Sequence, residues 1–95
     1  MTNSAPVDQE HTLHIRNKFG LHARPAAEFV KLASKFQSDI WVRKQELEVN
    51  GKSIMGMMML AAEFGSEITI RASGDDAKQA VAELVALVNG GFGEH

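Results

Sequence analysis

The sequence predicts an α+β domain. The expected architecture is a two-layer open-faced β-sandwich, with three helices on one face of a four-stranded, mainly antiparallel sheet. Three observations point there. The chain has 95 residues, which is one domain's worth and room for a single modest core. Its apolar period switches repeatedly between 2 and 3.6 residues. The resulting elements run strand, helix, strand, strand, helix, strand, helix, a split order typical of two-layer α+β domains.

Residues 1–8 are polar and carry Pro6, so they read as a flexible lead before a single domain at 9–91. From Glu10 to Arg16, Leu13 and Ile15 share one face and His14 and Arg16 the other, as a half-buried strand requires. Asn17 to Gly20 is a loop. From Ala23 to about Phe36, residues Ala26, Phe29, Val30, Ala33 and Phe36 form one apolar helical stripe. Pro25 falls in the first turn, where a missing N–H costs little, and this puts His22 at the N-cap. Ile40, Trp41 and Val42, then Leu47 and Val49, mark two strands joined around Lys44-Gln45. Asn50-Gly51 is a turn signal. A short helix follows over Ser53 to Ala62, with Ser53 as N-cap and Gly65 as its stop. Ile68 and Ile70 alternate with Thr69 and Arg71 in a fourth strand. Ser73-Gly74-Asp75 opens the last helix, whose buried stripe is Ala77, Ala80, Val81, Leu84, Val85 and Val88, closed by Gly90-Gly91. Residues 92–95 read as a short flexible tail.

Composition narrows the function. Apolar residues make 44% of the chain and charged residues 23%, ordinary globular values. The net charge of −2 gives no general attraction to nucleic acid or an anionic membrane. The absence of cysteine excludes disulfides, thiolate catalysis and cysteine-based metal sites. No apolar run approaches the roughly 18 residues of a membrane span. The first residues have no basic and apolar signal regions, so a cytoplasmic location is expected by default. His11 and His14 lie three apart on a strand and point to opposite faces, which argues against a shared metal. Neither metal nor cofactor is expected.

Two stretches carry chemistry. Gly20-Leu21-His22-Ala23-Arg24-Pro25-Ala26 puts an imidazole at a helix entrance and a guanidinium two residues on. The first turn of a helix has unpaired N–H groups and partial positive charge, and so accepts anions. Pro25 has no donor, so Ala23 and Arg24 would supply the backbone N–H groups. A neutral imidazole is available near pH 7 and can act as a covalent nucleophile. On the residues alone a blander reading also stands, with His22 as a plain cap and Arg24 solvated. The second stretch is Asn50 to Ala62. Gly51-Lys52-Ser53 resembles part of a nucleotide phosphate loop, but Glu46 stands where the first glycine is required. Ile54, Met55, Met57, Met58, Met59 and Leu60 cover more of the helix than one buried face can use. Some of them must face water or a partner, or the helix is a core helix with loose ends. Methionine suits an adaptable docking surface.

Together these stretches resemble the HPr family, the histidine-containing phosphocarriers of the bacterial phosphotransferase system. Gly-Leu-His-Ala-Arg-Pro-Ala is similar to the family's phosphohistidine signature. Lys-Ser-Ile-Met-Gly is similar to its regulatory-serine signature. They stand about thirty residues apart in the expected element order, and the likeness runs from about Glu10 to Gly90. The resemblance implies that His22 accepts a phosphoryl group on its δ1 nitrogen. The donor would be enzyme I, charged by phosphoenolpyruvate, and the acceptor a sugar-specific IIA domain. It implies that Arg24 stabilises the phosphoryl oxygens, that Ser53 is a target of an HPr serine kinase/phosphorylase, and that Ile54, Met55 and Met58 lie on the partner face. Met57, Leu60 and Leu21 are expected in the core. Met59 stands where the family often has a small or polar residue, and about seven residues precede the usual start. The expected product is a monomeric carrier rather than an enzyme. Two other circuits share these motifs: a nitrogen-related or regulatory phosphorelay, and a phospho-Ser53-dependent adaptor or corepressor.

Overall fold

The computed structural model describes residues 8–94. The lead assigned to residues 1–8 therefore lies outside the described residues except at Asp8, which already belongs to the first strand. Four strands, β1 (Asp8–His14), β2 (Asp39–Lys44), β3 (Leu47–Asn50) and β4 (Glu67–Ser73), form one sheet in the order β1-β4-β2-β3. Every neighbouring pair is antiparallel, with Leu13 opposite Ile68 and Val42 opposite both Ile70 and Val49.

Period-2 patterning sorts the two faces. Leu13, Ile40, Val42, Ile68, Ile70 and Ala72 are buried on the face that carries the helices. The opposite face is polar and open. There the Arg71 guanidinium stacks 4.1 Å from the centre of the Trp41 ring and lies 3.6 Å from Glu48. The hydroxyls of Thr12 and Thr69 meet at 2.9 Å across β1 and β4.

Three helices cover the apolar face: α1 (Ala23–Ala33), α2 (Ile54–Met59) and α3 (Ala77–Asn89). Helix α1 buries Pro25, Ala26, Phe29 and Ala33, and α3 buries Ala77, Ala80, Val81, Leu84 and Val88. Both stripes follow the expectation from the sequence, with Val30 and Val85 only half-buried.

Helix ends differ from the sequence reading, each for a local reason. Helix α1 stops at Ala33 rather than Phe36, because Ser34 caps it and the next turn tightens, with Phe36 N–H donating to the Ala33 carbonyl. Phe36 stays buried on the same stripe. Helix α2 stops at Met59, not Ala62, because Ala61 takes a left-handed φ of 50°. The Lys44 ammonium donates to the free carbonyls of Leu60 and Ala61 at 3.3 and 3.1 Å, a cation at a helix C-terminus. Gly65, with φ of 84°, belongs instead to the turn into β4. Asp76 holds the N-cap position of α3, but its carboxylate does not cap. It accepts from the Ser38 hydroxyl and from the backbone N–H groups of Gln37 and Ser38, and so latches the loop after α1 to the start of α3. The Ser38 bond above all, then that of Gln37, holds the Asp76 carboxyl below the ordinary value of 3.8.

The tail differs most. Residues 91–93 form a tight left-handed turn in which Phe92 itself has φ of 57°; Phe92 is buried, and the Glu94 side chain packs inward. The apolar Phe92 ring supplies the anchor, and the flanking glycines supply the left-handed turns, at φ of 66° and 74°. His95 lies outside the described residues.

Candidate phosphoryl-transfer site

His22 is the N-cap residue of α1, with extended backbone at φ −76° and ψ −175°. Its carbonyl accepts the first helical bond, from Ala26 N–H at 3.0 Å. The imidazole makes no capping bond. The plain-cap alternative therefore describes the His22 backbone only, and the side chain is free for other work.

The loop before it is fixed by close packing. Gly20 has φ of 70°, and a Cβ there would run into the Ala62 carbonyl and the Glu63 backbone. Leu21 N–H donates to that same carbonyl at 2.8 Å, and the Leu21 side chain is buried. The His22 loop thus rests on the segment that leaves α2.

The N–H groups of Ala23 and Arg24 have no hydrogen-bond partner among the described residues. Ala26 N–H is satisfied, and Pro25 has none to offer. The open backbone donors at this helix entrance are therefore those of Ala23 and Arg24. Arg24 is exposed and makes no hydrogen bond or ion pair among the described residues, so its five donors are available. An open cleft of about 330 Å³ is lined by Lys18, Phe19, His22, Arg24, Gly93 and Glu94. The Phe19 ring stands edge-on to His22 at 6.4 Å, with the Lys18 ammonium 5.4 Å from its centre. Two cations and two free N–H groups around one imidazole suit a dianionic group, such as a phosphoryl.

The sequence reading missed two residues here. The Glu94 carboxylate lies 3.0 Å from His22 Nε2 through Oε2 and 3.4 Å through Oε1. Asn17 Nδ2 donates to Glu94 Oε1 at 3.0 Å and to the Gly20 carbonyl at 2.7 Å. Glu94 comes 72 residues after His22, and no local pattern links them. The one available signal was Phe92, a large apolar residue among glycines.

The second stretch is placed as expected. Ser53 caps α2, and its Oγ accepts from Gly56 N–H at 3.0 Å. Met57 and Leu60 are buried. Ile54, Met55 and Met58 are 45%, 75% and 45% exposed, and Met59 joins them at 63%. Helices α1 and α2 pack together.

Comparison with known proteins shows the family. The family profile described as "PTS HPr component phosphorylation site" matches residues 9–90. The chain belongs to the HPr family of the phosphotransferase system. It is 48% identical to the phosphocarrier protein HPr of Neisseria meningitidis (serogroup A) over 85 residues, 90% of this chain and 96% of that one. It is 46% identical to the HPr-like protein Crh of Bacillus subtilis over 79 residues, 83% of this chain and 93% of that one. A crystal structure of HPr from Thermoanaerobacter tengcongensis superposes with a TM-score of 0.88 at 52% identity, covering 92% and 98% of the two chains. Another structure of that protein is described as a dimer, so a monomer is not the only state the family shows. As an HPr-family phosphocarrier, the chain has the transfer of a phosphoryl group as its business. Among the described residues no helix is long and apolar enough to cross a membrane.

Proposed function

We propose that this protein accepts a phosphoryl group on His22 Nδ1 from phosphorylated enzyme I and delivers it to a sugar-specific IIA domain. The observation that carries the reading is the convergence at one helix entrance. An imidazole that does not cap sits beside two unpartnered N–H groups and a free guanidinium. In the transfer step the Nδ1 lone pair forms a bond to phosphorus. The bond from phosphorus to the donor atom breaks, and its electron pair stays with the donor. Phosphoryl transfer asks a protein chiefly for positioning and charge stabilisation. Ala23 N–H, Arg24 N–H and the Arg24 guanidinium supply that charge stabilisation. The cleft is open, so a partner must close it. This is why the protein acts as a carrier and leaves catalysis to its partners.

Docking is assigned to Ile54, Met55 and Met58, large apolar side chains exposed on a helix that packs against α1. Ser53 is assigned as a regulatory site for an HPr serine kinase/phosphorylase. A phosphate there adds about −1.5 to −2 charges beside the docking methionines, which disfavours an apolar or acidic partner surface. The test is a reconstituted relay of phosphoenolpyruvate, enzyme I, this protein and a IIA domain. We expect label on the IIA domain only when this protein is present. Equal labelling without it contradicts the proposal.

A further inference from the structure

The Glu94 carboxylate has no role in the reading above, yet it is the best-held group in the cleft. Its side chain is 18% exposed. Phe92, buried two residues earlier, anchors the turn that presents it. Asn17, itself 3% exposed, holds Oε1. An amide nitrogen has two hydrogens, and Asn17 Nδ2 uses one on Glu94 and one on the Gly20 carbonyl. Reversing the amide would place its oxygen against a carboxylate and a carbonyl, so this orientation is fixed. Its Oδ1 is buried with no partner among the described residues, the cost of holding that arrangement. Asn17 thus ties Glu94 to the loop that carries His22.

An ionised carboxylate only accepts hydrogen bonds. A neutral imidazole has one N–H and one lone pair. Glu94 Oε2 lies 3.0 Å from His22 Nε2, so the proton must sit on Nε2. The lone pair is then on Nδ1, and no hydrogen bond among the described residues occupies that atom. We propose that Glu94 is a positioning residue that holds the Nε2–H tautomer of His22 and thereby directs phosphoryl transfer to Nδ1. The inference rests on His22 as the acceptor. It adds the reason for one nitrogen over the other. When Nδ1 bonds phosphorus, Nε2 keeps its proton and the ring becomes cationic. Glu94 then faces that new positive charge. A carboxylate orients the catalytic histidine of serine hydrolases in the same physical way.

The test uses the full protein with phosphoramidate, a small phosphoryl donor that needs no docking. Phosphorus–nitrogen coupling in NMR identifies the nitrogen modified. ¹⁵N shifts of the unmodified ring report its tautomer. We expect the wild type to carry phosphate on Nδ1 alone. Glu94→Ala should yield both Nδ1 and Nε2 products and a mixed tautomer, with transfer from enzyme I slowed about tenfold. Glu94→Gln, which keeps an acceptor oxygen, should lie between them. An unchanged isomer ratio and tautomer in Glu94→Ala overturns the proposal. Glu94→Gln matches the native side chain in shape and gives the same readout if the alanine variant is unstable. Failure of enzyme I to modify wild-type His22 would count against the acceptor reading, and the phosphoramidate ratio would still report on Glu94.

Discussion

At His22 the backbone caps the helix while the ring points into the cleft, and this division makes single-residue substitutions informative. Arg24 makes no hydrogen bond or ion pair among the described residues. Removing it should leave stability within about 0.5 kcal/mol. It should slow phosphoryl transfer about a hundredfold, the scale of losing one preorganised charge-stabilising group. Thermal unfolding beside single-turnover transfer checks this, and a collapse in stability would make Arg24 structural. Gly20 is the opposite case. Its left-handed φ of 70° and its contact with the Ala62 carbonyl leave no room for a side chain. Gly20→Ala should displace the His22 loop and lower both stability and transfer. His22 and Arg24 were legible in the sequence because a helix entrance is a local pattern. Glu94 was not, because its contact spans most of the chain and depends on a buried Phe92.

Among the elements, α2 divides its methionines by face. Met57 fills the core, and Met55 and Met58 meet solvent. Met55→Glu or Met58→Glu should weaken binding to enzyme I at least tenfold with the fold intact, as calorimetric titration would show. Unchanged affinity would move the docking surface elsewhere. Ser53→Ala should cost about 0.5–2 kcal/mol, because the bond to Gly56 N–H is a true N-cap. The sequence exposed this helix through its excess of apolar residues. It did not expose where the helix stops, because the stop is a left-handed Ala61 with Lys44 from another strand on its carbonyls. Phe92→Ala should cost about 3–5 kcal/mol if the turn at 91–93 is the anchor that its burial implies.

For the molecule as a whole, strand and helix periods foretold the sheet, its three helices and nearly all of the core. The long-range ties were silent, because polar latches have no period. The Asp76 latch between the loop after α1 and the start of α3 is one. Its carboxyl is held below 3.8, chiefly by the Ser38 hydroxyl. A depressed aspartate stabilises the fold above its unfolded value and loses that contribution as pH falls through the folded value. The gap in denaturation midpoint between wild type and Asp76→Ala should therefore be constant at neutral pH. It should narrow on acidification below about 3.8. A gap that persists unchanged to pH 2 would show that the carboxylate charge contributes nothing. Whether His22 is the residue that accepts the phosphoryl group is tested most directly by mass. Wild type and His22→Ala are each incubated with phosphoenolpyruvate and enzyme I. The account predicts one acid-labile phosphate, about 80 Da, on the wild type and none on the variant. An equal gain on both, or an acid-stable one, would contradict it.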